Sequence, residues 1–153
     1  MKNSALVSLF QNLSAIKGLH GVKFNYSVAK NVRLLKGIIE DFESAIKPGD
    51  SYLEYDRKRI ELGKEHANKD EKGEPIVIDG KFDVKDMSLF EQAYKELEEE
   101  YKEAISEHGK KIEELNALLE EESSVELHKI SLDDVPSDIT TEQLAGIFDI
   151  INE

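Results

Sequence analysis

The sequence predicts a mainly α-helical fold: a long, coiled-coil-like antiparallel helical hairpin with a β-hairpin at its tip. The two termini would add a small head of helix and strand. Three observations carry this expectation. Apolar residues recur at steps of three and four through most of the 153 residues. Charged residues reach 35% against 39% apolar, a balance that suits elongated helices needing one buried stripe each. Between them, KDEKGEPIVIDGKFDV (69–84) abandons the helical period for glycine, proline, a β-branched run and an Asp-Gly pair.

One domain is expected over 1–153, with 1–24 and 123–153 forming the terminal head. Ser4 is placed to cap a first helix whose apolar face is Leu6, Leu9, Phe10, Leu13 and Ile16, closed by Gly18. The first long helix is expected at 25–68, on a stripe of Val28, Val32, Leu35, Ile39, Phe42 and Ile46. Pro48 and Gly49 predict a kink or short break near 48–51, with Ser51 and Glu54 as a capping box. Leu53, Ile60 and Ala67 keep the heptad phase beyond it, so the stripe is expected to continue.

The tip is expected at 69–85. Both Asp79 and Gly80 tolerate the positive φ of a type I′ turn, which would set Val77 opposite Phe82 and Ile78 opposite Lys81. Val77, Phe82 and Val84 would then rest on the helix ends, leaving Ile76 and Ile78 on the other face. The second long helix, 86–122, is capped by Asp86 or Ser88. Its stripe runs Met87, Phe90, Tyr94, Leu97, Tyr101, Ile105, His108, Ile112, Leu115 and Leu119. In the tail, VELHKI (125–130) reads as a short strand, with Val22 and Phe24 as its candidate partner. Thr140 or Thr141 caps a final helix with Leu144, Ile147, Phe148 and Ile151 inward.

Charge narrows the functional classes. Thirty-three acids against twenty bases give a net charge of -13, which repels nucleic acid and anionic membranes. No direct nucleic-acid binding is therefore expected, and no membrane association, since no apolar run approaches spanning length either. Without cysteine there is no disulfide, thiolate nucleophile or Cys-based zinc site, a composition compatible with a reducing compartment such as the cytoplasm. The four histidines form no HExxH pattern. A calcium loop centred on Gly73 would need ligands where Lys72 and Asp79 stand, so no metal and no cofactor are expected. No nucleophile elbow or phosphate loop is present, and an enzyme is not expected.

Two surfaces remain. Ile76, Val77, Ile78 and Phe82 form a candidate protein interface for a partner or for self-association, because an isolated hairpin needs cover. Glu96, Glu99, Glu103 and Glu107 form a candidate acidic face on a segment, 86–122, with thirteen acids and four bases. Such a face also fits an ordinary solvated helix.

The strings FNYSVAKNVRLLKGIIEDFE, LEYDRKRIELGKEHANKDEKGEPIVIDGKFDV and ELHKISLDDVPSDI together resemble small, uncharacterised helical-hairpin proteins of tailed bacteriophages and prophages. The resemblance lies in layout and covers roughly two-thirds of the chain. In outline such proteins are similar to one arm of a prefoldin-type chaperone. It implies a phage structural or accessory role, an oligomer and virion association, and it brings no catalytic residues. The expected function is a non-enzymatic protein-interaction or assembly module. The alternative is an acidic inhibitor or DNA mimic that blocks a nucleic-acid-binding protein.

Overall fold

Leucine spacing at the start and valine spacing further on each generate a helix with one buried side. The computed structural model describes residues 1–152; Glu153 lies outside the described residues. Among them the order is α1 (Asn3–Ala15), α2 (Val22–Ala45), α3 (Asp50–His66), β1 (Val77–Ile78), β2 (Lys81–Phe82), α4 (Met87–Glu100), α5 (Lys102–Glu120), β3 (Ile130–Ser131), α6 (Thr141–Ala145) and β4 (Ile151–Asn152). Short 3-10 turns at Leu132–Asp134 and Phe148–Ile150 flank α6. The contacts gather into two compact units, one of Met1–Ile46 with the chain from Glu113 onward, the other of Lys47–Ile112.

In the first unit α1 packs on α2. Leu6, Leu9, Leu13 and Ile16 meet Phe24, Val28, Val32 and Leu35, and Ile130, Ile147 and Ile150 complete the core. Burying side chains of this kind contributes about 1.5–3 kcal/mol each. Asn31 is fully buried on the same face of α2. Its Nδ2 donates to the His128 carbonyl at 2.8 Å, and its Oδ1 accepts the His128 N–H at 2.8 Å. One amide side chain thus satisfies an extended segment as a neighbouring strand would. Beyond it β3 runs parallel to β4, Ile130 beside Ile151 and Ser131 beside Asn152. Thr140 and Gln143 form a reciprocal capping box at the start of α6.

In the second unit α3 lies antiparallel to α4 and the first part of α5. A row of rings records the pairing: Tyr52 with His108 at 4.0 Å between centroids, Tyr55 with Tyr101 at 5.9 Å, and His66 with Phe90 at 5.7 Å. The α4–α5 break is a single residue, Tyr101, at φ −106° and ψ 16°.

The expected fold class is overturned. Six helices with packing in two units, together with two separate two-stranded sheets, replace a two-helix hairpin with one terminal β-hairpin. The expected coiled-coil pairing falls with it. The 25–68 segment is two helices, because Ile46–Gly49 interrupts it. The interruption also resets the helical phase: Leu53 and Ile60, expected inward, are exposed, and Tyr52, Tyr55 and Gly63 face the neighbour instead. Gly49 takes the N-cap position, so Ser51 lies inside α3 without capping it. Ser4 lies inside α1 for the same reason, Lys2 standing at its N-cap. Val22 and Phe24 open α2, and the tail strand pairs with Ile151–Asn152. The final helix stops at Ala145, leaving Phe148 in a 3-10 turn and 69% exposed.

Candidate functional site

The end of the second unit is built from the chain that leaves α3 and returns into α4. Ala67 is fully buried and pairs with Val84, and Lys69 pairs with Pro75. The Asn68 N–H donates to the Asp83 carbonyl at 2.6 Å, the Asp83 N–H to the Ile76 carbonyl at 2.9 Å, and the Ile76 N–H to the Asn68 carbonyl at 2.8 Å. Three stretches thereby close a ring of backbone hydrogen bonds. Asp70 organises the loop that follows, its Oδ1 accepting the N–H of Lys72 at 2.8 Å and of Glu74 at 2.9 Å. Gly73 adopts a φ of 85°, which a side chain would strain.

Beyond this frame, Val77 pairs with Phe82 and Ile78 with Lys81, around Asp79 and Gly80 at φ 50° and 76°. Those are the positive values a type I′ turn demands. Phe82 lies half-buried over Gly63 of α3, its ring occupying the place a β-carbon would take. Ile76 and Val84 are half-buried as well. Val77 is 55% exposed, away from the helix ends on which it was expected to rest, and Ile78 is 57% exposed. Met87 and Leu89, at 57% and 58%, open α4, whose Asp86 caps the helix by accepting the Leu89 N–H at 3.1 Å. Because α3 ends where α4 begins, with His66 against Phe90, these four exposed apolar residues share one end of the unit.

The acidic candidates have a different setting. Glu96 accepts from Gln92 at 3.2 Å, Glu99 pairs with Lys102 at 3.1 Å, and Glu107 pairs with Lys111 at 3.7 Å. Glu103 stands exposed on α5. Nearby lysines thus offset the charge of Glu99 and Glu107, while Glu96 and Glu103 meet no cation among the described residues.

Perturbed ionisation falls in two places: at the chain start, where Glu120 raises Lys2 and the N-terminal ammonium lowers Glu122, and along α3. Lys58 is held above the ordinary lysine range by Tyr101, with its ammonium 4.8 Å from that ring's centroid, and then by a hydrogen bond to Glu100, whose carboxylate is 3.1 Å away. Burial pushes the Tyr55 hydroxyl up, helped by the Tyr94 hydroxyl at 3.4 Å. Arg59 is raised by its hydrogen bond to Asp56, at 2.6 Å. Tyr55 and Lys58 find their partners across the seam, and Arg59 finds its partner on α3 itself.

The histidines remain apart: His20 contacts Asp138 at 3.2 Å, His66 and His108 lie in the ring row, and His128 contributes backbone to Asn31. Among the described residues no group of three or more His, Cys, Asp or Glu side chains is placed to hold a metal ion. No described helix is long and apolar enough to cross a membrane.

Sequence reasoning missed the Asn68–Asp83 pair and the seat of Phe82. A lone glycine in α3, at position 63, was the available signal, since an interior helical glycine has a packing or functional reason. No family model matches the chain, and neither a curated protein nor a solved structure matches it. The bacteriophage origin and virion-assembly role expected from the resemblance therefore have no relative behind them and are withdrawn.

Proposed function

We propose that this chain is a non-enzymatic protein-interaction module of the cytoplasm, which docks a protein partner through the apolar end of its second unit. The observation that carries the reading is the exposure of Val77 and Ile78 on a hairpin anchored from behind. Phe82 on Gly63 and the Asn68–Asp83–Ile76 ring fix the hairpin's position before any partner arrives. A preorganised element loses little conformational entropy on binding, so more of its apolar burial appears as affinity. Met87 and Leu89 widen the contact area at the same end. The groups with displaced pKa values support the non-enzymatic part, because Tyr55, Lys58 and Arg59 are spent on contacts along α3, Lys2 on Glu120 and Glu122 on the N-terminal ammonium.

The test compares tagged wild-type chain with a Val77→Asp, Ile78→Asp double variant in capture from the native host, alongside light scattering of each. Both positions are exposed, so helicity by circular dichroism should be unchanged. Loss of a specific captured protein, with the light-scattering mass of the chain unchanged, is the expected result. An identical captured set from both proteins would remove the tip from the reading.

A further inference from the structure

A second surface lies on the first unit, where the turn after α1 and one side of α2 enclose a groove of about 570 Å³. Val28 and Val32 form its floor, and Lys17, Arg33 and Lys36 line it with Asn25. Asn25 is already committed, its Nδ2 donating to the carbonyls of Leu19 at 2.6 Å and Gly21 at 2.9 Å. The cations are not. Lys36 reaches Glu40 only at 3.5 Å with both side chains exposed, and among the described residues Lys17 and Arg33 form no ion pair. No carboxylate lines the groove, in a chain whose net charge is -13.

The exposed face of α2 continues this arrangement. Val22, Tyr26, Ala29, Arg33 and Lys36 follow one another at steps of four, three, four and three, so they share a stripe turned away from the core. Val22 is 89% exposed and Tyr26 60%, with the Lys30 ammonium 4.7 Å above the Tyr26 ring. Apolar side chains therefore occupy one part of the stripe and cations the other, Arg33 unpaired among the described residues and Lys36 only loosely held by Glu40, along roughly 21 Å of helix.

We infer that this face of α2 binds an acidic amphipathic helix of a partner protein, with carboxylates at Lys17, Arg33 and Lys36 and apolar side chains over Val22 and Tyr26. Charge complementarity selects that occupant. A peptide helix carries a few carboxylates matched to three local cations and brings apolar groups for Tyr26. A nucleic acid presents a long row of phosphates to a chain that repels them at distance, and it leaves Val22 uncovered. The site is separate from the hairpin of the second unit.

The experiment titrates the full chain into a fluorescein-labelled synthetic helix of about 14 residues with leucine on one side and glutamate beside it, read by anisotropy. The same titration is run with a glutamine version of the peptide and with a labelled single-stranded oligonucleotide. Expected is saturable binding of the glutamate peptide that weakens at high salt and drops about tenfold or more with glutamine, or with Arg33→Glu and Lys17→Glu in the protein. Circular dichroism of the double variant checks that these exposed changes leave the helices in place. The Val77→Asp, Ile78→Asp variant should bind the peptide as wild type does, which separates this site from the tip. No saturable binding, binding indifferent to Arg33→Glu with Lys17→Glu, or tighter binding of the oligonucleotide than of the peptide would overturn the inference.

Discussion

Asn68 and Asp83 are joined twice: backbone N–H to carbonyl at 2.6 Å, and Asn68 Nδ2 to the Asp83 carboxylate at 2.9 Å. The second bond braces the three-membered ring of backbone hydrogen bonds that includes Ile76. Removing it with Asn68→Ala takes a donor from a half-buried, charged acceptor, a change that costs about 1–2 kcal/mol. The urea midpoint should fall accordingly. Amide exchange at Asn68, Ile76 and Asp83 should accelerate together, because opening any one bond frees the others. Faster exchange at Asn68 alone would show that the ring does not act as a unit.

Gly63 and Phe82 make a tighter relationship, since the ring of one fills the β-carbon position of the other. Gly→Ala inside a helix ordinarily stabilises by about 1 kcal/mol. Here Gly63→Ala drives a methyl into the Phe82 ring, and overpacking of this kind costs about 1–3 kcal/mol. The net effect expected in urea denaturation is destabilisation. Phe82→Leu alone should also destabilise, by leaving a gap. In the double variant the new methyl fills part of that gap, so the two losses should fall short of their sum by about 0.5 kcal/mol or more. Strict additivity would mean that the ring simply swings aside.

What was legible in the sequence is what local periodicity and turn chemistry determine. Leu6, Leu9 and Leu13, and Val28, Val32 and Leu35, lie on the buried faces their spacing predicts, because one helix fixes all its side-chain directions. The pairing of Val77 with Phe82 follows from Asp79 and Gly80 alone. Phase did not carry across Pro48 and Gly49, where the chain leaves helical dihedrals and the count restarts, and so Leu53 and Ile60 were turned the wrong way. The β3–β4 pairing was hidden because it joins Ile130 to Ile151 through short irregular turns that leave no periodic trace. Of the candidate interface, the hairpin was readable, but its anchoring depends on Gly63, Asn68 and Asp83, which meet only in three dimensions.

Asn31 shows the same limit within the core. It stands on the buried face between Val28 and Leu35, and its partner is the backbone of a residue 97 positions away. Asn31→Leu keeps the volume close but strands the His128 N–H and carbonyl without a partner. Each unsatisfied group costs about 1–3 kcal/mol, so a loss of about 2–4 kcal/mol is expected once the added apolar burial is set against it. Falling protection of the His128 amide would locate the damage. An Asn31→Leu protein as stable as wild type would mean that the extended segment finds another partner.

Tyr55 gives the chain a dependence on alkaline pH. Its hydroxyl is raised above the ordinary tyrosine value first by burial, then by its hydrogen bond with the Tyr94 side chain and the charges of Tyr94 and Glu98, with Arg59 opposing. A group whose folded pKa is raised binds its proton more tightly when folded. Its contribution is complete below the unfolded value of about 10 and is lost as pH rises towards the folded one. Stability should therefore decline from about pH 10 upward. Lys58, also raised, declines over the same window and remains in any Tyr55 variant. Tyr55→Phe removes only the phenol. Near neutrality it costs under about 1 kcal/mol, because the Tyr55–Tyr94 contact is a long 3.4 Å. As pH passes about 10 the wild type should lose this lead, and the two urea midpoints should converge and then cross. Curves that stay parallel from about pH 8 to pH 11 would show that the phenol ionises as freely in the folded chain as in the unfolded one.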